Sequence, residues 1–240
     1  MSSILTILIF FPALAGLLGF VIDKNSARVY GVAIAAVEFI LSLFLWMNFD
    51  ASNPVFQFVE RFPIVQDFGI SYYLGVDGIS LFLVVMTTFM TLVGMISMTI
   101  KDEIKNMVIT ILFLEMTMVG VFLALDAILF YVFWELSLVP MLYIIGAWGG
   151  PLRVYASIKF FLYTFTGSLV MLVGMLVVAY NFSVATGGIW SFAITDWYAL
   201  GFDLEYQFWL FLAFFIGFAI KVPMFPFHTW LPYAHGQAPT

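Results

Sequence analysis

The sequence has 240 residues, of which 64% are hydrophobic and 9% are charged, with a formal net charge of −6 and no cysteine. Soluble domains contain about 25% charged residues, so this composition indicates an integral membrane protein rather than a soluble enzyme or a nucleic-acid-binding protein. The lack of cysteine excludes disulfides, thiolate metal sites and cysteine-ligated iron–sulfur clusters within these residues.

Apolar segments long enough to cross a bilayer follow one another along the chain. A transmembrane helix needs about 20 mostly apolar residues. Six such segments, and a shorter one that ends at a lysine, are predicted at residues 4–22, 30–46, 79–99, 107–125, 127–145, 155–180 and 208–221. We therefore expect an all-α polytopic membrane protein with about seven transmembrane helices, the last of them discontinuous.

The connections between these helices carry the orientation signal. Basic residues are concentrated on alternate connections, which hold Lys24 with Arg28, Lys101 with Lys105, and Arg153, whereas the other connections hold Arg61 alone. Because an excess of lysine and arginine marks the cytoplasmic side, we expect the N-terminus to lie outside. Residues 47–77 and 181–206 are predicted to be extramembrane connections, and Asp77 and Asp126 are predicted N-caps of the helices that follow them.

The last segment, KVPMFPFHTWLPYAHGQAPT, combines a lysine with four prolines and both histidines of the sequence. Proline inside a helix removes a backbone hydrogen bond, and irregular backbone at membrane depth persists where it is buried in protein or lines a wet cavity. A charge beside a broken helix, here Lys221, is typical of an ion pathway. His228 and His235 either relay protons or hydrogen-bond the broken backbone.

A glutamate lies in the middle of the apolar segment AILFYVFWELSLVPMLYII. Glu135 is about 12–14 Å along this helix, near the centre of a ~30 Å hydrocarbon core, and Pro140 is predicted to free the carbonyl of Leu136. A carboxylate there costs several kcal/mol unless it is protonated or paired. We therefore predict that Glu135 and Lys221 form a proton-transfer pair. The alternatives are a structural glutamate and a lysine that extends to the interface.

Three further charged residues have two interpretations each. Lys159 is either a relay between Glu135 and Lys221 or a cytoplasmic anchor whose side chain reaches the interface. Glu115 is either a relay or a structural acid without an evident partner. Glu38 is expected to make a packing or subunit contact.

Three segments, FYVFWELSLVPMLYIIGAWG, KFFLYT and KVPMFPFHTWLPYAHGQAPT, together resemble the antiporter-like proton-pumping subunits of respiratory complex I, a family shared with multisubunit cation/proton antiporters. The resemblance extends from Gly75 to the last residue and, more loosely, across the first two helices. It implies an inverted-repeat bundle in which Glu135 is the glutamate of the fifth helix, Lys221 is the lysine of the broken seventh helix, and Lys159 is a basic position of the sixth. Tyr233 stands where the family motif has an aspartate, so this position carries no acid here.

The resemblance also implies a division of the chain and a function. Residues 1–105 would form three N-terminal helices with their loop, and residues 106–240 a first proton-channel repeat, truncated after the broken helix. The expected function is a proton half-channel in a membrane subunit of NADH:quinone oxidoreductase in the bacterial inner membrane. Neighbouring membrane subunits would be the partners. NADH, flavin, iron–sulfur clusters and quinone would bind to other subunits, with no cofactor and no metal held by this chain.

Two other interpretations stay open. One is a subunit of a cation/proton antiporter or of a membrane-bound hydrogenase. The other, of a different class, is a non-conducting scaffold or assembly protein, because the sequence ends inside the APT motif at Thr240 and is therefore expected to be a fragment or a truncated gene product.

Overall fold

A computed structural model describes residues 3–99 and 103–239, so Lys101 and Thr240 lie outside the described residues. The helices are α1 (Ile4–Gly19), α2 (Ala27–Met47), α3 (Gly78–Ser97), α4 (Ile104–Leu123), α5 (Ala127–Leu136), α6 (Leu138–Trp148), α7 (Arg153–Ala185), α8 (Ile194–Trp197), α9 (Leu204–Lys221) and α10 (Leu231–Gln237). Strands β1 (Gln57–Val65) and β2 (Ile70–Val76) form a hairpin, and a 3₁₀ turn covers Phe227–Trp230.

Most of these helices have the length and the apolar composition of membrane spans. Within the described residues, α2, α3, α4, α7, α9 and the combined segment Ala127–Trp148 meet both criteria, and α1 is a shorter apolar helix. The structure therefore confirms the predicted all-α polytopic membrane protein. The last helix, α9, ends at Lys221 and is followed by irregular backbone before α10, as the prolines predicted.

The chain divides into two compact units, and the first contains α1 to α4. It comprises the described residues of Met1–Arg61 and Tyr73–Ala124. Within it α1 packs along α4, and α2 packs against α3 and α4. The α2–α4 approach is close because Gly31 has no side chain: a Cβ there would lie 2.7 Å from Cγ1 of Val108.

The second unit contains α5 to α10, together with the tip of the hairpin. It comprises Phe62–Tyr72 and Leu125–Pro239. The long helix α7 packs against α6, α9 and α10. One buried cluster, which includes Leu138, Phe160 and Trp230, lies between α6, α7 and the terminal segment. A second includes Met171 and Phe192.

The division between the units falls after Ala124, because α4 packs with the first three helices. The functional division predicted after residue 105 places α4 with the following repeat instead. The predictions that residues 181–185 and 204–206 are loop were wrong, since α7 continues to Ala185 and α9 begins at Leu204. With 33 residues, α7 is about 50 Å long. It is longer than a ~30 Å hydrocarbon core is thick, and the helix continues through the polar residues near its end.

The tip of the hairpin within residues 47–77 belongs to the second unit and contacts residues 190–192 of that unit. Gly69 adopts a left-handed conformation with φ of 63°, which favours glycine. A Cβ at Gly69 would lie 2.0 Å from the carbonyl oxygen of Trp190, so this contact needs glycine for a second reason. Phe192 donates its N–H to the Gly69 carbonyl at 3.3 Å.

Both predicted N-caps are confirmed. Asp77 accepts hydrogen bonds from the backbone N–H groups of Ile79 and Ser80 at the start of α3. Asp126 accepts from those of Ile128 and Leu129 at the start of α5. The second oxygen of Asp126 also accepts from the N–H of Ser71 at 2.8 Å, so one buried carboxylate caps a helix and binds the hairpin tip.

We expect Asp126→Ala to destabilise the protein more than Asp77→Ala, its matched control. Both substitutions remove a cap, which costs about 1 kcal/mol. Asp126→Ala also leaves the buried N–H of Ser71 without its acceptor, at a further cost of about 1–3 kcal/mol. Thermal unfolding of the two variants in the same detergent measures the difference, and equal melting temperatures would contradict a structural role for the Ser71–Asp126 bond.

Candidate proton-transfer site

The membrane span that carries Glu135 is interrupted two residues after it. Helix α5 ends at Leu136 and α6 begins at Leu138, with Ser137 between them. Pro140 has no N–H, so the carbonyl of Leu136 lacks its usual helical donor. The hydroxyl of Ser137 donates to the carbonyl of Trp134 at 2.7 Å. The predicted helix defect is therefore present, and it puts a hydroxyl and free carbonyl capacity beside the glutamate.

Lys221 is the last residue of α9, at the second interruption. The backbone continues into a turn in which Met224 donates its N–H to the carbonyl of Ala219 at 2.8 Å. The carbonyl of Ile220 accepts a 2.8 Å hydrogen bond from the indole N–H of buried Trp230. The donor to this carbonyl is therefore Trp230, and the two alternatives for His228 and His235 stay predictions.

The ammonium group of Lys221 has weak polar contacts. Its Nζ lies 3.5 Å from the Ser137 hydroxyl, at the outer limit of a hydrogen bond. It also lies 5.1 Å from the ring centroid of Trp134 and 6.0 Å from that of Phe160, within the range of cation–π attraction. Lys221 is therefore held at the break of α5 and α6 by one long hydrogen bond and two aromatic faces.

Glu135 is the acid nearest to this ammonium group, although the two do not form a direct ion pair. They interact electrostatically, but among the described residues no basic nitrogen lies within the 4.0 Å of a salt bridge from Glu135. The other polar neighbours of the carboxylate are the hydroxyls of Tyr131 and Ser168. The Ser168 hydroxyl is committed to the carbonyl of Phe165 at 2.8 Å.

One carboxylate oxygen of Glu135, Oε1, is buried without a hydrogen-bond partner among the described residues. A carboxylate oxygen in that position carries an energetic penalty, which a proton or an approaching cation relieves. The acid and the base thus lie close in space, and neither is saturated by its present contacts. Chemically, this arrangement suits a group that binds and releases a proton rather than a permanent salt bridge.

The remaining predicted site residues lie around the terminal segment. The Nζ of Lys159 is 4.1 Å from the ring centroid of Tyr233 and 5.7 Å from that of Tyr155, so its contacts are aromatic. The structure does not bring it into contact with Glu135 or Lys221. His228 is half-buried with Nδ1 unpaired among the described residues, and His235 is exposed.

Tyr233, at the position where the resembling motif has an aspartate, thus provides an aromatic face for Lys159 instead of a negative charge. A cation–π contact is weaker than a buried ion pair but does not require a second charge to be desolvated. This contact fits the interpretation of Lys159 as an anchor near the start of α7.

Sequence reasoning missed the residues that position the pair, namely Trp134, Ser137, Ser168 and Trp230. Ser137 was detectable, because it follows Glu135 by two residues inside a membrane helix that contains a proline. Trp230 and Ser168 are far from their partners in sequence, and their contacts depend on how α7 and the terminal segment fold back. No local pattern identifies them.

Comparisons with known proteins show which family this chain is similar to. Residues 124–240, nearly the same range as the second unit, match the family described as NADH:quinone oxidoreductase/Mrp antiporter, TM. NADH-quinone oxidoreductase subunit M of Rhodobacter capsulatus is 43% identical over 256 residues, which cover 100% of this chain and 49% of that protein. NADH-ubiquinone oxidoreductase chain 4 of Arabidopsis thaliana is 43% identical over 218 residues, covering 89% and 42%.

Solved structures give the same result. A chain in the structure of respiratory complex I from Thermus thermophilus with bound NADH aligns with a TM-score of 0.85 at 29% identity, covering 98% of this chain and 47% of that one. A chain of the Mrp complex from Dietzia sp. DQ12-45-1b aligns with a TM-score of 0.75 at 19% identity, covering 98% and 25%, which shows a shared fold.

The fold and the site therefore define an antiporter-like membrane subunit. The chain belongs to the NADH:quinone oxidoreductase/Mrp antiporter membrane family, and the relatives reported above are subunit M and chain 4 of NADH-quinone and NADH-ubiquinone oxidoreductases. It spans about half the length of the curated relatives it matches.

We expect Trp230→Phe to loosen the break after α9. The phenylalanine ring retains most of the packing but cannot donate to the Ile220 carbonyl, a loss of about 1 kcal/mol. Hydrogen–deuterium exchange should show faster uptake in residues 219–230, with α3 unchanged. Trp209→Phe is the matched control, because Trp209 lies on α9 with 60% of its surface exposed. Equal exchange in both variants would contradict the assignment.

Proposed function

We propose that this chain contributes a proton half-channel to a membrane subunit of an NADH:quinone oxidoreductase, in which Lys221 carries the proton and Glu135 is its counter-charge. The observation on which this proposal rests is the position of Lys221. Its ammonium group is at a broken helix end, near a half-buried carboxylate, with no direct ion pair among the described residues. A structural charge in this setting would be expected to have a close, saturated partner.

The proposed step is a transfer of charge between two arrangements of the pair. When the ammonium of Lys221 approaches the carboxylate of Glu135, their attraction favours the charged forms of both groups. When the two separate, an isolated charge in a poorly hydrated site becomes costly, and the lysine releases its proton. A conformational change that alters this distance therefore moves a proton.

Ser137 is suited to couple these arrangements. Its hydroxyl donates to the Trp134 carbonyl and accepts the long hydrogen bond from the Lys221 ammonium. Ser137 therefore links the α5–α6 break to the end of α9. A shift of α9 along its axis changes the Lys221–Ser137 contact before any other polar contact of the ammonium. We assign Ser137 a positioning role.

The remaining partners follow from the family. Redox chemistry, with NADH, flavin, iron–sulfur clusters and quinone, is proposed to take place in other subunits and to drive the conformational change. Neighbouring membrane subunits are the proposed partners. The proposed location is a bacterial inner membrane with the N-terminus outside, supported by the basic connections that include Lys24, Lys105 and Arg153.

Sequence identity favours this proposal over a role in a cation/proton antiporter. The curated subunit M relative from Rhodobacter capsulatus is 43% identical across this chain. The aligned chains of the Mrp complex and of the archaeal sulfane sulfur reductase are 19% and 21% identical. The genes adjacent to this one, encoding redox or antiporter subunits, test the choice.

We expect Lys221→Ala in the full-length gene to abolish most proton translocation while the complex still assembles. Removing the ammonium leaves Glu135 without its charged neighbour and the break without a proton carrier. The measurement is the number of protons translocated per NADH oxidised in inverted membrane vesicles, with assembly checked on a native gel. We expect at least a several-fold loss.

Lys105→Gln is the control for this experiment, since Lys105 is a helix-end lysine whose ammonium donates to the carbonyl of Phe20 in the first unit. It should leave the stoichiometry unchanged. An assembled Lys221→Ala complex with normal stoichiometry and rate would overturn the proposal. A complex that loses assembly with Lys221→Ala but pumps normally per assembled unit would favour the scaffold interpretation.

A further inference from the structure

Two glutamates in the first unit are buried inside apolar helices and have no role in the proposed pathway. Glu38 on α2 is 0% exposed and Glu115 on α4 is 1% exposed. All four of their carboxylate oxygens are without a hydrogen-bond partner among the described residues. Each glutamate lies eleven residues after the first residue of its helix, or about 16 Å along it.

The packing of α2 against α4 brings these two side chains toward each other. The helices touch at Gly31 and Val108, where a Cβ on the glycine would lie 2.7 Å from the valine. Glu38 follows Gly31 by seven residues, and Glu115 follows Val108 by seven. Seven residues are close to two helical turns, so both glutamates lie on the contacting faces. Glu115 is accordingly the charged neighbour of Glu38.

The hydroxyl groups around the pair are already used elsewhere. Ser42, one turn after Glu38, donates to the carbonyl of Phe39 and lies 2.8 Å from the hydroxyl of Thr88. Thr88 donates to the carbonyl of Val85 at 3.0 Å. Thr91, which lies beside Glu115, donates to the carbonyl of Thr87 at 3.0 Å. Each hydroxyl has one proton, so none is left for the carboxylates.

Among the described residues of the four helices of this unit, no counter-charge faces the pair either. Helices α1 and α3, which pack against α2 and α4, contain no titratable side chain. The cations of α2 and α4 are at the helix starts, where Arg28 donates to the carbonyl of Ile96 and Lys105 to that of Phe20. Tyr30, the remaining titratable group of α2, donates to the carbonyl of Ala15.

Two adjacent buried carboxylates cannot both be ionised without a compensating positive charge, because desolvation and mutual repulsion both oppose it. Within the described residues, no group of three or more acidic, histidine or cysteine side chains suits a metal ion. We propose that Glu38 and Glu115 form a second proton-binding site, an acid pair in which at least one of the two carboxyl groups holds a proton. This site is independent of the Glu135–Lys221 pair.

Infrared spectroscopy of the purified full complex tests this proposal, because a protonated carboxyl group has a carbonyl-stretch band that shifts in D₂O and an ionised carboxylate does not. The double variant Glu38→Gln/Glu115→Gln should lose a D₂O-sensitive carboxylic-acid band that the unsubstituted complex shows at neutral pH. Glutamine resembles a protonated glutamate in shape and charge, so the double variant should assemble normally.

Glu205→Gln is the control, since Glu205 is an exposed carboxylate on α9 and its replacement should change the ionised-carboxylate absorption alone. Loss of ionised-carboxylate absorption in the double variant, with the carboxylic-acid band intact, would overturn the proposal.

A second measurement covers the case in which the double variant does not assemble. The melting temperature of the unsubstituted complex is compared in sodium and in choline chloride at equal ionic strength, and again for the single variant Glu38→Gln. No sodium-specific shift is expected if the pair holds a proton. A shift that Glu38→Gln removes would overturn the proposal in favour of a bound alkali cation.

Discussion

Hydration is the main stabilisation of a charged side chain in water, and a charged group carried into a membrane helix must replace it with a partner, a proton or local polar structure. Among the described residues, Glu38, Glu115 and Glu135 meet that constraint inside apolar helices, and Lys221 meets it at the end of one. The two units meet this constraint in different ways. The second brings an acid near a base, whereas the first brings two acids together where no base of that unit reaches them. Opposite charges can be separated and rejoined, while two acids must stay protonated or bind a cation.

The backbone is subject to the same constraint, because an unpaired carbonyl in hydrocarbon is costly and helices are interrupted where other groups take over the hydrogen bond. Both interruptions of the second unit are next to a charged residue. At one, Pro140 withholds a donor and the Ser137 hydroxyl lies beside Glu135. At the other, the Trp230 indole supplies a donor to the carbonyl that precedes Lys221. The broken helices thus bring polar backbone to the two groups that most need it, which an unbroken pair of helices could not do.

The sequence alone predicts those structural features that a local pattern of residues determines. The membrane spans follow from apolar length, the interruptions from proline, and the caps from Asp77 and Asp126, each of which precedes its helix directly. Contacts that join distant segments are not encoded in this way. The bond from Ser71 to Asp126 requires the hairpin, which the sequence did not predict, and the Trp230 bond requires the terminal segment to turn back. Glu38 and Glu115 were each noticed, but their pairing depends on the Gly31–Val108 helix contact.

The two sites also differ in whether they lie within the residues that the family description matches. Glu135, Lys221 and the groups that position them all lie within residues 124–240, the range matched by the family description and nearly that of the second unit. Glu38 and Glu115 lie outside that range, in the helices of the first unit. The aligned chain of the Mrp complex covers 98% of this chain, so the shared fold extends over both units, whereas the family description matches only the range that holds the Glu135–Lys221 pair. The acid pair belongs to the other part of the chain, so its replacement removes none of the groups that form or position the Glu135–Lys221 pair.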